Sequence, residues 1–225
     1  MSARSRSTDA GTGPGPPAAP PPVARLAANQ MRRMRRIVDT AVELAETGGF
    51  EAVRLRDVAE RSEVALGTLY KYFHSKEDIL LFALNEEIER LEASLVSRPE
   101  TEGDPAARVT EFFRRATRAL ARRPQFARAL IRAMATGDKE TAVKITGVQL
   151  RVARMISAAM RGDVPDVNSP LDPGKIDSRE QVIAFIMNNV WFSALVGWSS
   201  GVHAERGVIE HVRLAADLIL EEPHS

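Results

Sequence analysis

At 225 residues with 44% apolar side chains, the chain is long enough for one large packed domain or two small ones. It contains no cysteine, which excludes a disulfide framework and any thiolate metal site. The formal net charge of +1 conceals an asymmetry: residues 1–76 hold 12 Lys and Arg against 8 Asp and Glu, and the remainder holds 19 against 22. A basic end on a slightly acidic body points to a polyanion partner at that end.

Six of the 13 prolines fall between Pro14 and Pro22, among few large apolar side chains. Residues 1–26 therefore read as a disordered tail. This stretch lacks the apolar core of a signal peptide. No run reaches the roughly 18 apolar residues of a membrane span, so the expectation is a cytoplasmic protein with no membrane partner. The Gly11–Gly15 region sits in the tail and is no phosphate-binding loop.

From Ala27 onward every segment carries helical periodicity, and no alternating strand pattern appears. A first helix is expected over Asn29–Thr47, with Ile37, Ala41, Leu44 and Ala45 inward and Gly48-Gly49 as its stop. Arg32, Arg33, Arg35 and Arg36 crowd its first turns, where the helix dipole disfavours cations; a phosphate contact would explain them. Two short helices come next, at about 54–61 and 65–72. Ser75, with Asp78 three residues on, caps a long helix to about Leu95. Pro105 and Pro124 suit early positions of helices near 105–122 and 124–135. Another helix covers about 138–161, and Gly162–Lys175, with three prolines and two glycines, reads as a loop. Ser178 and Gln181 form a second capping box for a helix to about Trp198, apolar nearly all round and so in need of partners on two sides. The last helix, about Glu205–Leu220, carries the stripe Ile209, Val212, Ala216 and Ile219.

The informative stretch is Phe50–Lys76. Leu55, Val58 and Ala59 give the first short helix an inward face, Val64 packs under the turn, and Leu69 and Phe73 face inward from the second. The outward side offers Leu66, Gly67, Thr68, Lys71 and the tyrosines. Thr, Lys and Tyr donate to phosphates or base edges, and glycine admits close backbone approach. Lys76 opens the next helix, where free amides and its cation can share a phosphate. The spacing suits a helix-turn-helix, but pattern alone equally allows a plain three-helix core with surface Lys and Tyr.

The residues Gly49-Phe50, Arg56-Asp57-Val58-Ala59, Val64 and Gly67-Thr68-Leu69-Tyr70-Lys71-Tyr72-Phe73-His74-Ser75-Lys76-Glu77 resemble the TetR family of bacterial regulators. Gly48–Val53, Ala65–Phe73 and Val190–Leu195 with Trp198 are further similar to the actinobacterial repressors of steroid catabolism. The resemblance implies an all-α fold. A three-helix helix-turn-helix domain over 27–75 would precede a helical ligand-binding and dimerisation domain over 76–225. It implies a repressor that binds double-stranded operator DNA as a homodimer through its last two helices. A small apolar effector, such as a steroid or acyl-CoA metabolite, would release it. An activator, or a drug-sensing efflux regulator, would share the same fold.

By resemblance, Arg56, Thr68, Tyr70, Tyr72 and Lys76 match DNA-contacting positions, and Ala65, Leu66 and Gly67 lie where base-facing residues sit. Arg54, Lys71 and His74 join them on charge and placement. Three departures stand out: Val53-Arg54 where the family has Thr, Ser62-Glu63 in place of Ala-Gly in the turn, and Ala65 in place of a capping Ser. Glu63 is expected to hold a backbone better suited to glycine.

For the effector, the candidates are Phe82, Leu91, Phe112, Phe113, Leu120, Phe126, Leu130, Met134, Met155, Met187 and Trp191, as a group an apolar lining. No His, Asp and Glu set has metal-ligand spacing, and no nucleophile motif is present. The expectation is no metal, no cofactor and no enzyme activity. His203 and His211 fall near the proposed interface and read as structural, and His224 lies in the tail.

Overall fold

A computed structural model describes residues 22–99, 101–136, 139–166 and 179–220. The element order is α1 (Pro22–Ala52), α2 (Leu55–Arg61), α3 (Leu66–Leu69), α4 (Lys76–Ser97), α5 (Pro105–Ala121), α6 (Pro124–Thr136), α7 (Lys139–Arg161), α8 (Arg179–Ser199) and α9 (Glu205–Leu220). No strand occurs among the described residues. The fold is all-α, as the periodicity implies. The expected tail up to Pro21, the Ser178 cap and His224 lie outside the described residues.

Two helix starts explain themselves chemically. The Ser75 hydroxyl accepts from the Asp78 amide at 3.1 Å, and the Asp104 carboxylate accepts from the Ala107 amide at 2.8 Å with Pro105 next in the chain. Both satisfy amides that a helix start leaves without partners. The first helix departs from expectation. It begins at Pro22 rather than Asn29, so Arg32, Arg33, Arg35 and Arg36 lie in its interior and bear no first-turn dipole penalty. Its regular geometry breaks at Gly49 (φ 68°, ψ −163°), a backbone region open to glycine.

Ile37, Val38, Ala41 and Ala45 of α1 are buried against α4 and α6. They join Val58, Ala59, Val64, Leu69 and Phe73 in one core that continues through Phe112, Met155 and Met187 to Ala216. The two expected domains thus share a continuous interior, and α4 runs between them.

Helix α8 is the outlier in composition. Ala184, Met187 and Leu195 are buried, yet Val182, Phe185, Ile186 and Val196 are exposed, as are Leu214 and Leu218 on neighbouring α9. By length and hydropathy α8 is long and apolar enough to cross a membrane, which corrects the expectation that no segment would qualify. It packs on α7 and α9, so its apolarity is that of a helix needing partners on two faces.

Glu63 holds φ 55°, the only non-glycine residue with positive φ among those described. That region costs an L-residue about 1–2 kcal/mol. Its side chain is exposed and reaches only Arg36, at 3.7 Å, a surface pair of little worth. Glu63→Gly is expected to raise stability by about 1 kcal/mol, read as a higher urea midpoint at unchanged slope.

Candidate DNA-reading surface and effector cavity

The turn between α2 and α3 is built from backbone hydrogen bonds and one buried serine. Val64 N donates to Ala59 O at 2.9 Å, and the Ser62 hydroxyl donates to the same carbonyl at 3.3 Å. Ala65 heads α3 without a side-chain cap, as its methyl requires. Helical bonding runs past Leu69: Tyr70 N donates to Leu66 O at 3.1 Å and Phe73 N to Leu69 O at 3.0 Å. Leu69 and Phe73 therefore share the inward side, and Phe73 meets Phe82 edge-on at 5.7 Å.

The opposite side places Ala65, Gly67, Tyr70, Lys71 and His74 in solvent beside exposed Arg54 and Arg56. Thr68 and Tyr72 are half-buried at its edge. Gly67 has no heavy atom within 4 Å of where a Cβ would stand, so nothing in the chain itself requires its lack of a side chain. Two residues are more committed than the sequence suggests. Leu66 packs partly on the core. The Lys76 ammonium lies 3.3 Å from Phe50 O, 3.5 Å from the Glu51 carboxylate and 3.7 Å above the Phe50 ring. In α1, Arg35 pairs with Asp39 and with Glu86 of α4, and Arg36 with Glu63. Two of the four cations read as phosphate ligands thus already serve the protein's own carboxylates.

In the body, α4, α5, α6, α7 and α8 wall a partly open cavity of about 160 Å³. Of the eleven effector candidates, Leu91, Phe112, Leu120, Leu130, Met134 and Trp191 line it. Phe82, Phe113, Phe126, Met155 and Met187 do not. Phe82 packs on Phe73, Phe113 sits 4.9 Å from the Phe112 ring and 5.3 Å from the Trp191 ring, and the other three are buried in the core. The Trp191 indole donates to the Thr117 hydroxyl at 2.9 Å, which fixes the ring across the wall. Residue type misled the selection, because the walls are mostly aliphatic. Leu84, Ile88 and Leu91 of α4, and Ile145, Val148 and Val152 of α7, form two of them. Their i, i+3, i+4 and i+7 spacings were visible, but nothing in the sequence says which stripe faces a void. The polar lining residues Glu87, Gln149, Asn188 and Asn189 were also missed.

Ion pairs bind α4 to α7 at two levels. The Asp78 carboxylate accepts from the His74 amide at 3.0 Å and from the Lys144 ammonium at 2.6 Å. Further along α4, buried Glu92 takes both Arg151 and Arg154, the latter at 2.9 Å. Burial opposes the Arg151 charge, but the Glu92 and Glu89 carboxylates outweigh it and hold the guanidinium above its ordinary value.

Residues 37–82 match the model of "Bacterial regulatory proteins, tetR family", and residues 103–219 match "Tetracyclin repressor-like, C-terminal domain". The chain belongs to the TetR family. The HTH-type transcriptional repressor KstR of Rhodococcus jostii (strain RHA1) is 32% identical over 191 residues, covering 85% of this chain and 84% of the relative. KstR of Mycobacterium tuberculosis is 30% identical over 196 residues, 87% and 84% of the two chains. A TetR transcriptional regulator from Rhodococcus sp. RHA1 shares the fold, with TM-score 0.71 at 24% identity over 85% of this chain and 97% of that one. So does Thermus thermophilus FadR, solved with lauroyl-CoA, with TM-score 0.61 at 18% identity over 85% and 98%. The protein is accordingly a TetR-family transcriptional repressor, with a helix-turn-helix for DNA and a C-terminal ligand-binding domain, and not an enzyme.

In this TetR-family body the Glu92 cluster is the test of how α4 and α7 hold together. Glu92→Ala leaves two guanidinium groups facing each other in a largely buried site. The expected loss is about 1–3 kcal/mol, measured as a lower urea midpoint, with little change for Glu89→Ala, whose carboxylate is exposed.

Proposed function

We propose that this TetR repressor, acting in the cytoplasm, binds a palindromic operator as a homodimer and that a small apolar effector entering the body cavity releases it. The observation that carries this reading is the double use of α4. Its first turn is hydrogen-bonded to the end of the DNA-reading unit through Asp78 and His74. Further along the same helix, Leu84, Glu87, Ile88 and Leu91 form a cavity wall. An occupant that displaces the wall must move the helix, and with it the DNA-reading surface.

The size of the cavity supports such a displacement. Its volume of about 160 Å³ is close to that of an engineered apolar void of about 150 Å³ that admits benzene. A polycyclic or long-chain occupant is larger and fits better once the walls part. That difference in affinity between two states is what allosteric release requires. A steroid is in keeping with the resemblance to steroid-catabolism repressors, and an acyl-CoA metabolite is a second member of the same apolar class.

For DNA, the reading assigns Arg54, Arg56, Thr68, Tyr70, Lys71, Tyr72, His74 and Lys76 to phosphates, with Ala65, Leu66 and Gly67 facing bases. The exposed Phe185, Ile186, Leu214 and Leu218 of α8 and α9 supply an apolar face for the second subunit. A two-fold dimer would set its two reading helices about 34 Å apart, one DNA turn.

A gel shift on the DNA upstream of the gene, with and without a steroid ketone, tests the reading; equal binding to scrambled DNA overturns it. Arg56→Ala should weaken binding and flatten the dependence of log affinity on log salt by about 0.9 per half-site. Lys144→Met cuts the tie between α7 and Asp78. It should leave operator affinity within about twofold and reduce effector-driven release, which in allosteric systems spans about 5–150-fold. Release at the wild-type level by Lys144→Met would show that the tie carries no signal.

A further inference from the structure

Two amides that line the cavity, Asn188 and Gln149, make no hydrogen bond among the described residues, and Asn188 is the more deeply buried of the two. Asn188 of α8 is 7% exposed and lines the void. Its carboxamide makes no hydrogen bond among the described residues. Its neighbours on α8 are already engaged: the Trp191 indole bonds to Thr117, and the Asn189 amide donates to the Phe185 carbonyl at 2.8 Å. The polar atoms of Asn188 open onto the void; once an apolar occupant displaces water there, an amide left unpaired costs about 1–3 kcal/mol, so an occupant that meets it is favoured.

The chemistry of the lining restricts what that could be. No Lys or Arg lines the void among the described residues, and the one charged lining residue is Glu87. A carboxylate or phosphate inside it would find no cation and would meet a like charge. A carboxamide offers two donors and one acceptor, all neutral. Gln149 of α7 adds a second neutral amide to the lining.

We propose that Asn188 is the specificity anchor of the cavity and hydrogen-bonds a neutral carbonyl or hydroxyl oxygen on an otherwise apolar effector. This rests on the effector-cavity reading above. It adds that the polar end enters the cavity uncharged, and that any anionic group on the effector stays outside the lining. A hydrocarbon of the same shape fills the void but leaves the amide unpaired. The discrimination comes from that asymmetry between a made and an unmade buried hydrogen bond.

The test uses the full chain and three compact probes of one skeleton: decalin, 2-decalone and decalin-2-carboxylate. Affinities are measured by calorimetry for wild type, Asn188→Leu and Asn188→Ala. The first variant fills the position and the second empties it, so agreement between them separates the lost amide from a change of volume. The ketone-to-hydrocarbon affinity ratio is expected to fall roughly tenfold in both variants, and the carboxylate to bind at least about tenfold more weakly than the ketone in wild type. A ratio unchanged in the variants, with both probes bound, overturns the anchor while leaving the cavity as an effector site. A carboxylate that binds as tightly as the ketone overturns the neutral class. If none of the three binds, the effector-cavity reading fails, and the anchor with it.

Discussion

The Asp78 carboxylate holds three segments in one place. Its own amide is capped by Ser75, one oxygen accepts the His74 amide at the end of the DNA-reading turn, and the other accepts Lys144 from α7. The residue is nearly buried, so these bonds operate where an unmet charge would be costly. Remove it and the start of α4, the last turn before it and the α7 wall lose their common point. The continuous core keeps the two halves of the molecule packed, and this carboxylate adds a polar tie between the turn before α4 and α7.

A second constraint comes from α8. Its apolar residues encircle the helix, yet one chain covers only part of them, leaving Phe185 and Ile186 in solvent while Met187 is fully buried. The inner side of α8 also supplies Asn188 and Trp191 to the cavity. One helix thus serves the void on one side and offers an apolar surface for the proposed dimer on the other. In the proposed mechanism this links occupancy of the cavity to the geometry of the dimer as well as to α4.

The proposed DNA-reading side is chemically lopsided. Arg54, Arg56, Lys71 and Tyr70 stand free in solvent and suit phosphates, whereas Ala65, Leu66 and Gly67 offer almost no side-chain hydrogen bonds to bases. Methyl contacts, close backbone approach at Gly67 and DNA shape fit that surface better than bidentate base pairs. The engagement of Lys76 by the Phe50 carbonyl and ring adds that its phosphate contact would share an ammonium already held in place.

The sequence by itself determined the order of the helices among the described residues, the helix-turn-helix, and the family. These rest on local physics: Ser75 caps α4, Asp104 caps α5, Gly49 breaks the end of α1, and the Gly67–Glu77 run is contiguous. Even the strained turn at Glu63 was legible, because a missing glycine is a one-residue fact. The expected start of α1 at Asn29 missed Pro22, which stands at the first position of the helix and is itself a start signal. The sequence could not separate cavity from core. Leu91 and Met155 look alike in a helical stripe, and whether a side chain faces a void depends on how five helices cross. The same holds for Asn188, whose significance lies in the partner it lacks, and for Asp78, whose partner is 66 residues away in Lys144. Only the tertiary structure decided these, because unfilled space and unpaired groups are properties of the packed whole and not of any segment.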